Sequence, residues 1–306
     1  MEFIWGAIIM NVIELVIPIY AIVALGWYLR TKKHYTVEVD KFIGFLTYRI
    51  LLPISIFDKI ATAEVGINQQ TIQFYGVMLL QLVFFYLLWT KLDKKRGFEA
   101  FANSVRGNVI YLGFPVMIQL LPATLLPLGM VFASILSPLT LFSVEMLYRS
   151  KEGGANPFQI LKNPLVQGLL LGIIFNVSGI WHPLLGQVIS QATTPLMFLS
   201  LIIVGANFDL SSMKQADISF RMILVIINKI IILPLGFTAF GILLGFDSAL
   251  VAIGVILFSA PCAVSNFVLL SELDEVSDLS VNATIFSTAV YLLLLPVISV
   301  LVNLFI

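Results

Sequence analysis

Ten stretches of the 306-residue chain are apolar over roughly the length a bilayer-crossing helix needs, and together they occupy about two thirds of it. The expected spans are Phe3–Leu29, Phe42–Phe57, Thr71–Thr90, Ala100–Leu121, Ala123–Val144, Asn163–Trp181, Gly186–Phe208, Met222–Phe246, Ser248–Ser271 and Leu279–Ile306. With 59% of residues hydrophobic and 11% charged, against roughly 45–50% and about 25% in soluble domains, a water-soluble globule is excluded. The first stretch has no basic lead-in and is too long for a signal-peptide core, so it reads as a retained membrane helix. Runs such as VMLLQLVFFYLLW do not alternate, which argues against a transmembrane barrel. The expected class is an all-α polytopic membrane protein with short loops and no soluble domain. The single cysteine, Cys262, excludes an intrachain disulfide and a CxxC motif, and with them redox chemistry.

Seventeen Lys and Arg balance seventeen Asp and Glu, so no bulk charge draws the chain to nucleic acid. Their distribution is more informative. Thirteen basic residues fall in connections one, three, five and seven, one (Lys59) falls in the connections on the other side, and three (Arg49, Arg106 and Lys229) fall inside spans. Because cytoplasmic loops carry the Lys/Arg excess, this predicts a multi-pass protein of the cell membrane with both termini extracellular. The ninth connection is acidic, and acidic residues count little in this rule.

Ten spans divide into two sets of five, residues 1–150 and 151–306, and an odd number per set makes the second enter the membrane from the opposite side. That is the geometry of an inverted repeat, which suits a transporter because one sequence pattern then builds both outward-open and inward-open states. Prolines recur in matching spans: Pro53 and Pro195 in two and seven, Pro115 and Pro261 in four and nine, Pro138 and Pro296 in five and ten. The spacings agree only loosely, and proline is common in membrane helices generally.

Spans four (RGNVIYLGFPVMI) and nine (GVILFSAPCAVSNF) read as broken helices. A proline lacks the donor for the carbonyl four residues back and clashes with it, so Tyr111 and Leu257 are expected to lose their helical partners. Non-helical backbone at membrane depth is tolerated only against protein or a wet cavity, so both breaks predict a cavity. Pro115 and Pro261 would each start a half-helix, bringing free N–H groups and partial positive charge to one spot that favours an anion. Asn108, Gly113 and Pro115 in span four, and Pro261, Ser265 and Asn266 in span nine, are the candidate substrate-binding residues, with Ser259 a further polar residue at the second break; the alternative for the polar ones is interhelical hydrogen bonding.

Here the chain resembles the auxin efflux carrier family of membrane transporters, which includes bacterial malate and malonate permeases. The resemblance rests on the GNVIYLGFP break, Lys229 followed five residues later by Pro234, APCAVSNFVL, and the proline motifs LLPISIF and TTPLMFLSL. It implies ten transmembrane helices as two inverted five-helix repeats with crossing fourth and ninth helices, a fold shared with bile acid/sodium symporters. It implies a scaffold bundle from helices 1, 2, 6 and 7 and a transport bundle from helices 3–5 and 8–10 that slides as an elevator. The short Arg149–Lys162 connection matches the compact bacterial type. Members of the family include homodimers. No Asp or Glu lies within six residues of Pro115 or Pro261, which argues against sodium coupling of the bile-acid type.

An ionisable side chain at mid-bilayer costs about 2.5–3.5 kcal/mol on insertion scales and so calls for a role. Lys229 is either an anion-attracting cation or a structural donor to carbonyls freed by a break. Arg106 either lines the inner entrance or snorkels, and Arg49 lies four residues before Pro53. Glu14, midway along span one, is either the carrier of a coupling proton or a structural partner of Arg49, Arg106 or Lys229.

An enzyme is not expected: there is no HExxH, no GxGD and no paired intramembrane carboxylate, and His34 and His182 lie outside the spans. No GxxxxGK[ST] supports ATP-driven transport, no filter repeat supports a channel, and no cofactor or metal is called for. The expected function is secondary transport of a small organic anion, a malate-like dicarboxylate foremost, with auxin-like aromatic acids as the second choice of cargo.

Overall fold

The computed structural model describes residues 2–62, 69–94, 96–152, 157–208, 218–263, 265–266, 270 and 278–306. Among them the chain is helical, and the only extended pairing is a single bridge between Gly107 and Cys262. The helices are α1 (Glu2–Thr31), α2 (Val37–Phe45), α3 (Leu52–Thr62), α4 (Gln69–Leu92), α5 (Gly97–Val105), α6 (Phe114–Leu120), α7 (Leu126–Glu152), α8 (Pro164–Ser178), α9 (Pro183–Thr193), α10 (Leu196–Ala206), α11 (Phe220–Ile227), α12 (Leu233–Leu243), α13 (Ser248–Ser259) and α14 (Asp278–Asn303). Among the described residues six helical stretches are long and apolar enough to cross a membrane: Glu14–Thr31, Gln69–Leu92, Leu126–Arg149, Pro183–Ala206, Phe220–Leu243 and Leu279–Asn303. Val109–Leu120, Pro164–Ser178 and Ser248–Ser259 are shorter apolar helices. On α4, Phe74, Val77, Met78, Leu82, Phe85 and Trp89 are buried while Leu80, Val83, Phe84 and Leu87 are exposed, so both faces are apolar. An apolar face left uncovered on such a scale marks contact with lipid rather than water.

The prolines act in four different ways. Wider π turns over Leu46–Leu51, Val109–Gly113 and Asn228–Ile232 each end two residues before a proline, namely Pro53, Pro115 and Pro234. One extra residue in the turn moves the backbone away from the proline ring, so the helix widens without breaking. Pro18, Pro138 and Pro296 sit inside unbroken helices, and Pro195 caps the start of α10. Pro261 coincides with an interruption by extended backbone, since α13 ends at Ser259 and Ala260 turns extended (φ −50°, ψ 133°).

This corrects the expectation for span four. The π turn meets the demand of Pro115, and the interruption falls earlier, where α5 ends and Arg106 adopts an extended conformation (φ −83°, ψ 117°). Pro115 still occupies the first turn of α6. The preceding turn is already helical, however, so α6 does not present the free N–H groups of a new helix start.

The chain groups into two compact units. One comprises residues 1–20, 67–109 and 209–306, the other residues 21–66 and 110–208. In the first, Phe237 stacks on Phe258 (ring centroids 4.5 Å apart) with Phe74 edge-on to Phe237 at 4.7 Å, joining α4, α12 and α13. In the second, α8 lies along α3. Gly168 and Gly172, four residues apart, let α8 approach so closely that a Cβ on Gly168 would collide with the carbonyl of Pro53 and one on Gly172 with Ile60. The Asn176 amide of α8 then donates to the last carbonyls of α3, Ile60 O at 3.1 Å and Ala61 O at 3.2 Å.

Candidate functional site

The interruptions of spans four and nine meet inside the first unit. Asn108 N donates to Pro261 O at 2.6 Å and Ala263 N to Arg106 O at 3.1 Å, so residues 106–108 and 261–263 form a two-bond antiparallel bridge. Two helices interrupted in a low-dielectric medium thus satisfy part of each other's freed backbone. Gly107 stands at the centre. A Cβ there would lie 3.0 Å from Lys229 Nζ and 3.1 Å from Ala260 O, so only glycine lets the segments come this near without displacing one. Cys262 N donates to Ser287 Oγ of α14 at 3.0 Å. The N–H groups of Asn108, Cys262 and Ala263 are therefore engaged by protein, where the sequence led us to expect donors free for an anion.

Lys229 is 1% exposed, and its ammonium donates to Phe258 O at 2.8 Å. That carbonyl lies at the C-terminal end of α13, where the helix dipole favours a cation, so the geometry is that of a charged cap on the broken helix. Among the described residues Lys229 forms no ion pair; the three found there join Lys59 to Asp58, Arg149 to Glu145 and Arg221 to Asp93. Asn228, next to it in the π turn, is buried and has no hydrogen-bond partner for either side-chain amide atom among the described residues.

A polar stripe on α5 leads to the same place. Glu99, Asn103 and Arg106, spaced i, i+4, i+7, share one helix face and are all buried. Asn103 Nδ2 donates to Glu99 O (2.9 Å) and to Ser280 Oγ (2.8 Å), and Ser280 Oγ donates to Glu99 Oε1 (3.0 Å). Asn266 Nδ2 donates to Asn103 Oδ1 at 3.0 Å, and Arg106 Nη2 donates to Ser265 Oγ at 3.0 Å. Asn266 is fully buried while its neighbour Ser265 is exposed, so the cluster has one accessible edge.

Of the residues singled out from the sequence, Arg106, Asn108, Lys229, Ser259, Pro261, Ser265 and Asn266 belong to this unit and lie at or beside the bridge. Gly113 and Pro115 are buried in the second unit, five and seven residues along the chain from Asn108. Arg49 is in the second unit and exposed. Glu14 is exposed on α1, without an ion pair among the described residues. Glu99, Asn103, Ser280 and Asn228 escaped the sequence reading. A span that starts at Ala100 puts Glu99 in a loop and hides the i, i+4, i+7 spacing that reveals the stripe.

A search of curated proteins returns no match to the chain. Residues 11–157 match the sequence model of the family described as membrane transport protein, a segment that includes α5 and the first of the two interruptions. The match covers just under half of the chain and agrees with the motif resemblance and the apolar helices, which together support a membrane transport protein rather than an enzyme.

Proposed function

We propose that the protein is a secondary transporter of small organic anions, with a malate-like C4 dicarboxylate as preferred cargo, working across the cell membrane by elevator-type alternating access. The fold proposed for it is ten transmembrane helices in two inverted five-helix repeats, residues 1–150 and 151–306, with both termini extracellular. Helices 1, 2, 6 and 7 act as scaffold and helices 3–5 and 8–10 as transport bundle. The observation that carries the reading is the bridge between two interrupted helices, with the buried cations Arg106 and Lys229 beside it. Irregular backbone with paired breaks at membrane depth is where secondary transporters hold cargo. Arg106 and Asn108 on one strand of the bridge, and Ser265 and Asn266 just beyond the other, are the side chains assigned to the substrate. The bridge and these four residues belong to one compact unit, so the proposed site lies within a single body.

A dianion entering an inside-negative cell works against about 2.3 kcal/mol per charge per 100 mV, so uptake needs the cargo's own gradient, a co-transported proton or a counter-anion. The test is flux in liposomes containing the purified protein, with malate, malonate, citrate and an auxin-like aromatic acid offered at two pH values, with and without sodium. Malate should move, without a sodium requirement, and Asn108→Ala should cut the flux at least tenfold. Flux of aromatic acids alone, or flux indifferent to changes at both Asn108 and Asn266, would refute the reading.

A further inference from the structure

We infer that the crossing selects a carboxylate with a hydroxyl on the adjacent carbon, and that Asn266 Oδ1 is the acceptor that reads the hydroxyl. This rests on the crossing being an anion site.

The orientation of Asn266 is dictated by a chain of bonds that begins at a backbone group. A carbonyl accepts only, so Glu99 O fixes which end of the Asn103 amide is the NH2 group. Asn103 Oδ1 is then an acceptor, and the group facing it, 3.0 Å away, must be the NH2 of Asn266. Exchanging oxygen and nitrogen in either amide would set like groups against each other. Every bond therefore runs one way, from Asn266 to Asn103, from Asn103 to Ser280 and from Ser280 to the Glu99 carboxyl.

The far end of this chain is Asn266 Oδ1, which is fully buried and has no partner among the described residues. Buried polar atoms are nearly always paired, and this one requires a donor. A carboxylate has none to give, so a simple dicarboxylate would leave it empty. One residue earlier, Ser265 holds the guanidinium of Arg106 at 3.0 Å, and Ser265 is accessible. The Arg106 guanidinium, held at Ser265, and the orphaned acceptor on the next residue complement a carboxylate and a hydroxyl on consecutive carbons. In hydrogen-bonding sites of this sort, the ligand lacking the hydroxyl is strongly disfavoured because the protein group stays unpaired.

The experiment is equilibrium binding to the purified full-length protein of two pairs that differ by one hydroxyl, L-malate against succinate and hydroxymalonate against malonate. The hydroxylated member of each pair should bind about tenfold tighter or more, and Asn266→Ala should weaken malate more than succinate, bringing the ratio toward one. Equal affinities within the wild-type pairs would overturn the inference while leaving the anion site standing, since a trapped water would then serve Oδ1. A ratio unchanged in Asn266→Ala would also overturn it, by showing that the hydroxyl is read elsewhere. If no member of either pair binds, the anion reading itself fails. The wild-type ratio needs no variant, so an Asn266→Ala chain that does not fold still leaves the inference open to refutation.

Discussion

At the scale of single residues, Lys229 poses a question of magnitudes. Its ammonium is buried without a carboxylate among the described residues, which is costly, and it caps a carbonyl at the end of a broken helix, which is favourable. We expect the cap to win. Lys229→Met should leave Phe258 O unpaired and cost about 1–3 kcal/mol, seen as a lower melting temperature in detergent, with Lys229→Gln recovering part of the loss through its NH2 group. A melting temperature that rises in Lys229→Met would show that desolvation of the charge outweighs the cap. Tyr35, in the connection after α1, offers a second test. Its hydroxyl donates to Asp40 Oδ1 at 3.0 Å, and Asn207 Nδ2 donates to the same oxygen at 2.9 Å. Burial, and after it the Asp40 carboxylate, raise the Tyr35 phenol above its ordinary value of 10.0. A raised folded value means that the contribution is complete below about pH 10. It fades as the pH climbs through that raised value. Tyr35→Phe should cost about 0.5–1.5 kcal/mol at neutral pH and flatten the alkaline decline in melting temperature measured from pH 7 to 11.

At the scale of elements, what matters is how each helix answers its proline. Three prolines follow π turns and leave the helix continuous, whereas the two true interruptions occur where extended segments can pair. Gly107→Ala should therefore damage the protein more than its distance from any proline suggests. Its Cβ must displace either Lys229 Nζ at 3.0 Å or the Ala260 carbonyl at 3.1 Å. We expect a loss of about 1–3 kcal/mol from overpacking and, in liposomes, loss of flux. Gly168→Ala tests the other unit through packing alone, because its Cβ would collide with the Pro53 backbone, which cannot rotate away. It should lower the melting temperature and the yield of folded protein, and a variant as stable as wild type would mean that α8 and α3 are not in such close contact.

For the molecule as a whole, the helices expose apolar side chains on a scale suited only to lipid, and loop charge predicts the orientation. Cys262 is fully buried, so the native protein in membranes should resist an impermeant maleimide until it is unfolded in detergent. In a Cys262→Ser background, Leu304→Cys should label from outside intact cells and Lys94→Cys only after permeabilisation. The reverse pattern would invert the topology. The expectation rests on the first connection, with its four basic residues, and on the third around Lys94, since a rule of charge against membrane needs no tertiary contact.

Length and hydropathy by themselves determined that the chain is a helical membrane protein, because in hydrocarbon a helix satisfies its own backbone and the requirement can be read locally. Local chemistry also marked Pro261 as an interruption and Asn108, Ser265 and Asn266 as polar residues worth following. Tertiary structure decided the rest. It moved the first interruption from Pro115 to Arg106–Asn108, because a widened turn can absorb a proline while an extended segment needs a partner to pair with. It also assigned Lys229 to a carbonyl 29 residues away and tied Glu99 and Asn103 to Ser280 and Asn266 across more than 160 residues of sequence. Those partners belong to different helices, and which of them meet is settled by packing, which no single span encodes.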